Sequence, residues 1–148
     1  VENNQSDQSF MTDNATSDIM RSWRGIAFEE TCWQHIDQIR QALQIAGVKS
    51  SVSSWNIRGD DACDGCQIDL LISRADNVVN LCEMKFAGSA YTIDKDEVAK
   101  LRHRIECLKE TLLAKQTVHL TMITTYGIAR GKHSGIVQKE VTMDDLFC

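Results

Sequence analysis

With 148 residues, 43% of them hydrophobic and 25% charged, the chain has the length and balance of one globular domain with its own core. No apolar run approaches the roughly 18–20 residues of a membrane span, and no charged-then-apolar leader opens the chain. A net charge of −5 excludes a protein that coats nucleic acid through overall basicity, so any phosphate contact has to come from a local patch.

Residues 1–20 are polar and rich in Asn, Ser, Asp and Thr without a sustained period, which reads as an arm or linker remnant ahead of a domain at 21–148. A start at Val1 rather than Met is expected of a piece cut from a longer protein. Over 25–46, Phe28, Cys32, Ile36, Ile39 and Leu43 recur at steps of four, four, three and four, the stripe of an amphipathic helix. Gly47 is its expected C-terminal cap. A short strand is expected at 50–57, and RGDDACDG after it is loop by composition. The β-rich runs 67–74 and 78–86 are separated by Ala75-Asp76-Asn77, a hairpin signal. A second helix at 95–114 carries Val98, Leu101, Ile105, Leu108 and Leu112 on one face. A strong strand at 118–125 and a weaker one at 136–143 follow. The expected fold is α/β, a mixed central sheet flanked by helices in the order αβββαβ.

The chemistry gathers in the hairpin. Glu83 and Lys85 are two apart on a strand and share a face, with Met84 on the other. Asp69 sits mid-strand between Ile68 and Leu70, an awkward place for a charge without compensation. Residues 69 and 83 centre on 76, so the two carboxylates fall nearly opposite one another. They repel unless a cation lies between them or one takes a proton. Mg²⁺, or Mn²⁺, suits such oxygen ligands, and Lys85 is placed to orient a water or neutralise phosphoryl oxygens. The same residues equally describe an Asp–Glu–Lys ion trio that only fixes strand register.

Beyond that triad, WRGIAFEE, GCQIDLLISRADNVVNLCEMKF, the run from Tyr91 through the second helix, HLTMITTYGIA and VTMDDLF carry a wider likeness. The chain resembles the PD-(D/E)xK, or restriction-endonuclease-like, superfamily. Within it the chain is similar to the nuclease-like domain at the C-terminus of a group of bacterial AAA-type ATPases, over about residues 21–147. The resemblance implies a metal-dependent endonuclease-like domain hydrolysing DNA phosphodiester bonds. Its metal-binding acids match Asp69 and Glu83, its lysine Lys85, and the first-helix glutamate of many members Glu29, with Glu30 left to the surface. Gln67, two before Asp69, is a site-lining amide or a solvent-facing strand residue. Cys66 departs from the small residue relatives often carry there, which touches nothing catalytic.

Other signals are weaker. Among the six cysteines, Cys32, Cys82 and Cys107 lie in apolar patterns as small hydrophobes, and reduced thiols fit the cytoplasm. Cys63-x-x-Cys66 has the spacing of half a zinc site, but Cys82 and the scattered histidines supply no second pair. His35, His103 and His119 are isolated. GIARGKHS at 127–134 is not a working phosphate loop. It reads as a mobile loop whose Arg130, Lys132 and His133 can touch a phosphate backbone. Lys100 and Arg104, four apart on the second helix, share a face that is either solvated surface or a nucleic-acid flank. Trp23, Trp33 and Trp55 are expected as core or arm anchors. The expected partners are DNA as substrate, an AAA-type ATPase domain in the full-length protein and, as an open alternative, a second copy of the chain in a homodimer; no membrane is expected. The competing functions are a catalytically silent nucleic-acid-binding or regulatory module that keeps the nuclease fold, and a structural oligomerisation domain without metal affinity.

Overall fold

The structure is a computed structural model that describes residues 2–57, 65–112 and 115–147, with side chains for 18–56, 65–112 and 115–147. In chain order it runs α1 (Glu2–Gln34), α2 (Ile36–Ala42), β1 (Ser50–Ile57), β2 (Cys66–Arg74), β3 (Val78–Lys85), α3 (Lys95–Thr111), β4 (Thr117–Thr124), a short 3₁₀ turn (Ser134–Ile136), β5 (Lys139–Thr142) and α4 (Met143–Leu146). The expected αβββαβ order is present. Five strands form one mixed sheet in the order β1-β2-β3-β4-β5, the first three antiparallel and the last three parallel.

Period-two alternation in the strands feeds two cores, one on each face. Cys82 and Met84 of β3 point to a core with Leu70, Ile72, Ile123 and Val141, closed by Phe28, Cys32, Ile39, Leu43 and Leu146 from α1, α2 and α4. Val79 and Leu81 point the other way, to Val98, Leu101 and Leu108 of α3. The stripes of both expected helices are thus the surfaces that cover the sheet, in a helix–sheet–helix sandwich. Among the described residues no helix is long and apolar enough to cross a membrane.

Residues 2–20 are helical, as the first part of α1, where no proline and no glycine before Gly25 interrupts the helix. Three expectations are corrected. The helix expected at 25–46 breaks at His35 (φ −117°, ψ 34°). His35 Nδ1 donates to the Thr31 carbonyl at 2.8 Å, so the His35 backbone N–H turns to Cys32 O instead. Phe28 and Cys32 before the break and Ile39 and Leu43 after it still enter one core. Finally, Gly47 is not the cap. Ile45 N–H bonds Arg40 O and Gln44 N–H bonds Gln41 O, the paired bonds of a Schellman ending whose left-handed position is held by Gln44, at φ 60°. Buried Ile45 and Ile39 supply its apolar contact. Trp23 and Trp33 also fall short as anchors: both are exposed, whereas Trp55 packs against the α3-side core.

Because a side chain at positive φ is strained where glycine is not, Gln44→Gly should stabilise the protein by about 0.5–1 kcal/mol. The urea midpoint should rise with an unchanged slope. A midpoint that stays or falls would refute the strain assigned to Gln44.

Candidate active site

The β2–β3 turn sets the site. Asn77 takes the left-handed conformation (φ 65°), tolerable for asparagine, and closes the three-residue loop expected at 75–77. Arg74 clamps Asp76 through both carboxylate oxygens, at 3.0 and 2.5 Å, and reaches Asn80 Oδ1 at 3.3 Å. Buried Asn80 donates in turn to Thr121 Oγ1 on β4. Pairing then runs Ser73↔Val79 to Leu70↔Cys82. One step further the same register aligns Asp69 with Glu83, but the paired ladder ends at Leu70↔Cys82.

At the same point β2 is irregular against β1. Leu71 pairs with Ser53 and Ile68 with Trp55, so Asp69 and Leu70 together stand opposite Ser54. This is a β-bulge, and it breaks the alternation: Leu70 enters the α1-side core while Ile68 joins Leu71 in the α3-side core. Bulges re-aim side chains, and here the re-aimed residue is Asp69. Gln67, exposed on β2, donates from Nε2 to Asp69 Oδ1 at 3.1 Å, so it is the amide that holds this carboxylate.

Glu83 is buried, with 4% of its surface exposed, on the α3-facing side of β3. Its Oε1 lies 2.8 Å from Arg104 Nη1 and 3.5 Å from Lys85 Nζ. Glu83 and Lys85 therefore share a face as expected, and Met84 packs in the opposite core. Burial raises the Glu83 pKa above the usual carboxylate value; Arg104 and Lys85 work against that rise and Asp69 adds to it. Glu29, half-buried on α1, is also raised, by burial first and then by the charges of Asp69 and Glu83, with Lys85 opposing. Three carboxylates and one lysine from α1, β2 and β3 thus sense one another where the ladder ends. Glu30 is exposed, as expected.

A cavity of about 320 Å³ opens beside Lys85, lined by Tyr91, Asp94, Asp96, Glu97, Lys100 and Arg104. Lys100 and Arg104 do share a face, and it is the wall of this cavity. Arg130 and Lys132 are exposed elsewhere, and Lys132 lines a separate hollow with Arg102 and His133. The first part of the 127–133 loop is fastened: Tyr91 N–H bonds Gly127 O, Ala129 N–H bonds Tyr91 O, and Ile128 N–H bonds Glu140 Oε1. Sequence reasoning missed Tyr91, whose hydroxyl donates to Glu97 Oε2 at 2.5 Å, and missed Arg104 as the partner of Glu83. Arg104 had a signal: it is one turn from Lys100, on a helix that has to cross the face bearing Glu83.

Cys63 lies outside the described residues. Cys66 is buried and hydrogen-bonded to Cys107, whose thiol is pushed up to about 11 by burial first and then by that bond. Cys107 Sγ is 3.5 Å from His103 Nε2, so His103 is not isolated; the i,i+4 spacing on α3 sets it there. Among the described residues no group of three His, Cys, Asp or Glu side chains is placed to hold a metal ion. Cys32, Cys66, Cys82 and Cys107 are buried free thiols.

No family model matches the chain, and no curated protein matches it. Among solved structures the fold is similar to the crystal structure of a "Protein of Unknown Function AF1548", with a TM-score of 0.50 and 14% identity. The likeness covers 80% of this chain and 64% of that one, so the chain spans under two thirds of its neighbour's length. At that identity the likeness speaks for the α/β fold alone.

The raised Glu29 gives a pH test. A carboxyl with a raised folded-state pKa contributes stability that is fully present below its ordinary 4.5 and lost as pH rises through the folded value. In EDTA the melting temperature of the wild type should therefore fall over that window, and Glu29→Gln should fall less. Parallel curves for the two proteins would remove Glu29 from the cluster.

Proposed function

We propose that the chain is a metal-dependent endonuclease-like domain of the PD-(D/E)xK type that hydrolyses DNA phosphodiester bonds. In this reading it is the C-terminal part of a larger, cytoplasmic bacterial protein with an AAA-type ATPase domain. What supports it is that Asp69 and Glu83, aligned by the β2–β3 register, and Lys85 all lie near enough to Glu29 on α1 for their charges to act on it. Burial first, and then neighbouring acids, raise Glu29 and Glu83, and a divalent cation would offset the part of that rise that comes from the acids.

Oxygen donors of this kind fit Mg²⁺ or Mn²⁺, with Asp69 and Glu83 as the residues that would hold it. When bound, the ion supplies Lewis acidity that favours ionisation of water and offsets charge growing on the phosphate oxygens. The remaining work belongs to the chain. Gln67 orients Asp69, and Lys85 steers the attacking water or neutralises a phosphoryl oxygen. Glu29, the first-helix carboxylate, is the residue that would hold a second ion or its water.

A second reading has its own support. Glu83 Oε1 already faces two cations, Arg104 and Lys85, which is the arrangement of a structural ion network. The domain is then a silent nucleic-acid-binding or regulatory module, with the fold retained and no turnover.

Supercoiled plasmid and single-stranded DNA incubated with Mg²⁺ or Mn²⁺ separate the two. The nuclease reading expects cleavage by wild type, none by Asp69→Ala, and a loss of roughly 100-fold or more in Lys85→Ala. Mn²⁺ should raise the melting temperature of wild type and Lys85→Ala, by an amount equivalent to about 2.7 kcal/mol at 100 times Kd, and leave Asp69→Ala unmoved. Equal cleavage by wild type and Asp69→Ala, or a melting temperature indifferent to both ions, would transfer the case to the silent module.

A further inference from the structure

The two flanks of α3 each wall a hollow, and the hollows differ in charge. Lys100 and Arg104 face the cavity beside Lys85, where Asp94, Asp96 and Glu97 stand among them. Val98 and Arg102 lie two positions earlier, about half a turn round the helix, and border a different space. That hollow, of about 280 Å³, is completed by Lys132, His133, Gly135 and Ile136, and no acid lines it. Glu97, next to Val98 in sequence, belongs to the first flank, where it accepts the Tyr91 hydroxyl. Glu106, one turn beyond Arg102, is exposed and makes no ion pair with it.

The cations of the second hollow are also unpaired. In three other hollows the arginine is already answered by an acid: Arg40 by Asp37, Arg74 by Asp76 and Arg104 by Glu83. Among the described residues the side chains of Arg102 and Lys132 have neither an ion pair nor a hydrogen bond. The backbone that presents them is nevertheless fixed. The Ser134 hydroxyl accepts the Gly131 N–H at 3.1 Å and donates to the Gly131 carbonyl at 3.0 Å, closing a turn with Lys132 and His133 at its tip. Just beyond, Gln138 N–H bonds Leu120 O at 3.0 Å and Leu120 N–H bonds Gln138 Oε1 at 2.6 Å, which ties the segment to β4. Val98 and Ile136 belong to the α3-side core and give the hollow an apolar floor that compensates no charge. A guanidinium fork, an ammonium and an imidazole over such a floor suit an anion with several oxygens. The hollow is smaller than the roughly 300–1,000 Å³ of a pocket that encloses a small molecule, so it suits one phosphate of a chain passing over it.

We infer that Arg102 and Lys132, with His133 beside them, form a phosphate-binding subsite on the opposite flank of α3 from Glu83, and that it grips one phosphodiester of a DNA backbone. The inference rests on the DNA reading above and needs no metal and no turnover, so it holds for the nuclease and for the silent module alike. A contact of this kind positions the duplex without reading its sequence, and its strength falls as salt rises.

The test is the fluorescence anisotropy of a short labelled DNA duplex titrated with the full chain in EDTA, where nothing is cleaved. Arg102→Ala and Lys132→Ala should each weaken binding roughly tenfold at low salt. Each should also lower the slope of log affinity against log salt by about one. Because both residues act on one phosphate, the double variant should lose less than the product of the two single losses. Lys115→Ala removes an exposed cation outside the hollow and should leave affinity and slope near wild type. Arg102 and Lys132 are exposed, so urea midpoints should match wild type; Arg102→Gln and Lys132→Gln repeat the test if an alanine variant does not fold. Losses no larger than that of Lys115→Ala overturn the inference, and so does a wild type that binds no duplex. Inorganic phosphate should displace the duplex no better than sulfate at equal ionic strength. Displacement specific to phosphate and abolished by Arg102→Ala would assign the hollow to a free phosphate and overturn the inference too. Asp69-dependent cleavage in Mg²⁺ would leave the nuclease reading standing in each of these cases, so the two failures are told apart.

Discussion

A carboxylate buried on the middle strand of a sheet has to be compensated, and the placement of much else follows from that demand. Glu83 lies under α3 with almost no access to water. Its compensation comes from one cation on its own strand and one from the covering helix. The helix that closes the α3-side core is therefore also the helix that answers the charge. Leu101 and Leu108 fix its seat on the sheet, and Arg104 lies between them in sequence, aimed at Glu83. Packing and electrostatics are carried by adjacent positions of one element, so a shift of α3 along the sheet would disturb both together.

Much of this was legible because two periods are hard to counterfeit. The β-rich runs 67–74 and 78–86 and the stripe of the helix at 95–114 return within a few residues, as Cys66–Arg74, Val78–Lys85 and Lys95–Thr111, whereas the stripe at 25–46 is divided between two helices. The turn centred on Asp76 sets a register that aligns Asp69 with Glu83, although the paired ladder stops one step short, at Leu70↔Cys82. What escaped were competitions between side chain and backbone. The break at His35 depends on an imidazole taking a carbonyl from its own helix, and the ending at Gln44 on a strained residue where glycine would be ordinary. Composition gives no sign of either.

The site was harder to read than the fold for a related reason. Asp69, Glu83 and Lys85 stand close in sequence, and strand geometry brings them together. Arg104 and Tyr91 reach the same region from a helix and a connecting segment, and residues that meet only through tertiary structure leave no local period. The histidine at 103 shows the contrast: its partner Cys107 is one helical turn away on α3, and it is Cys107 that meets the distant Cys66.

The bulge at Asp69 and Leu70 has a further meaning. An extra residue in β2 shifts the phase of the strand, so its two ends serve the two cores in opposite order. The position of the acidic side chain is thereby tied to a count of residues rather than to the identity of any one of them. Substitution at Leu70 changes how well the strand packs. Deletion of a single residue there would restore even alternation, and Asp69 would lose its place even though every side chain around it stayed the same. In this domain, strand length is itself part of the site.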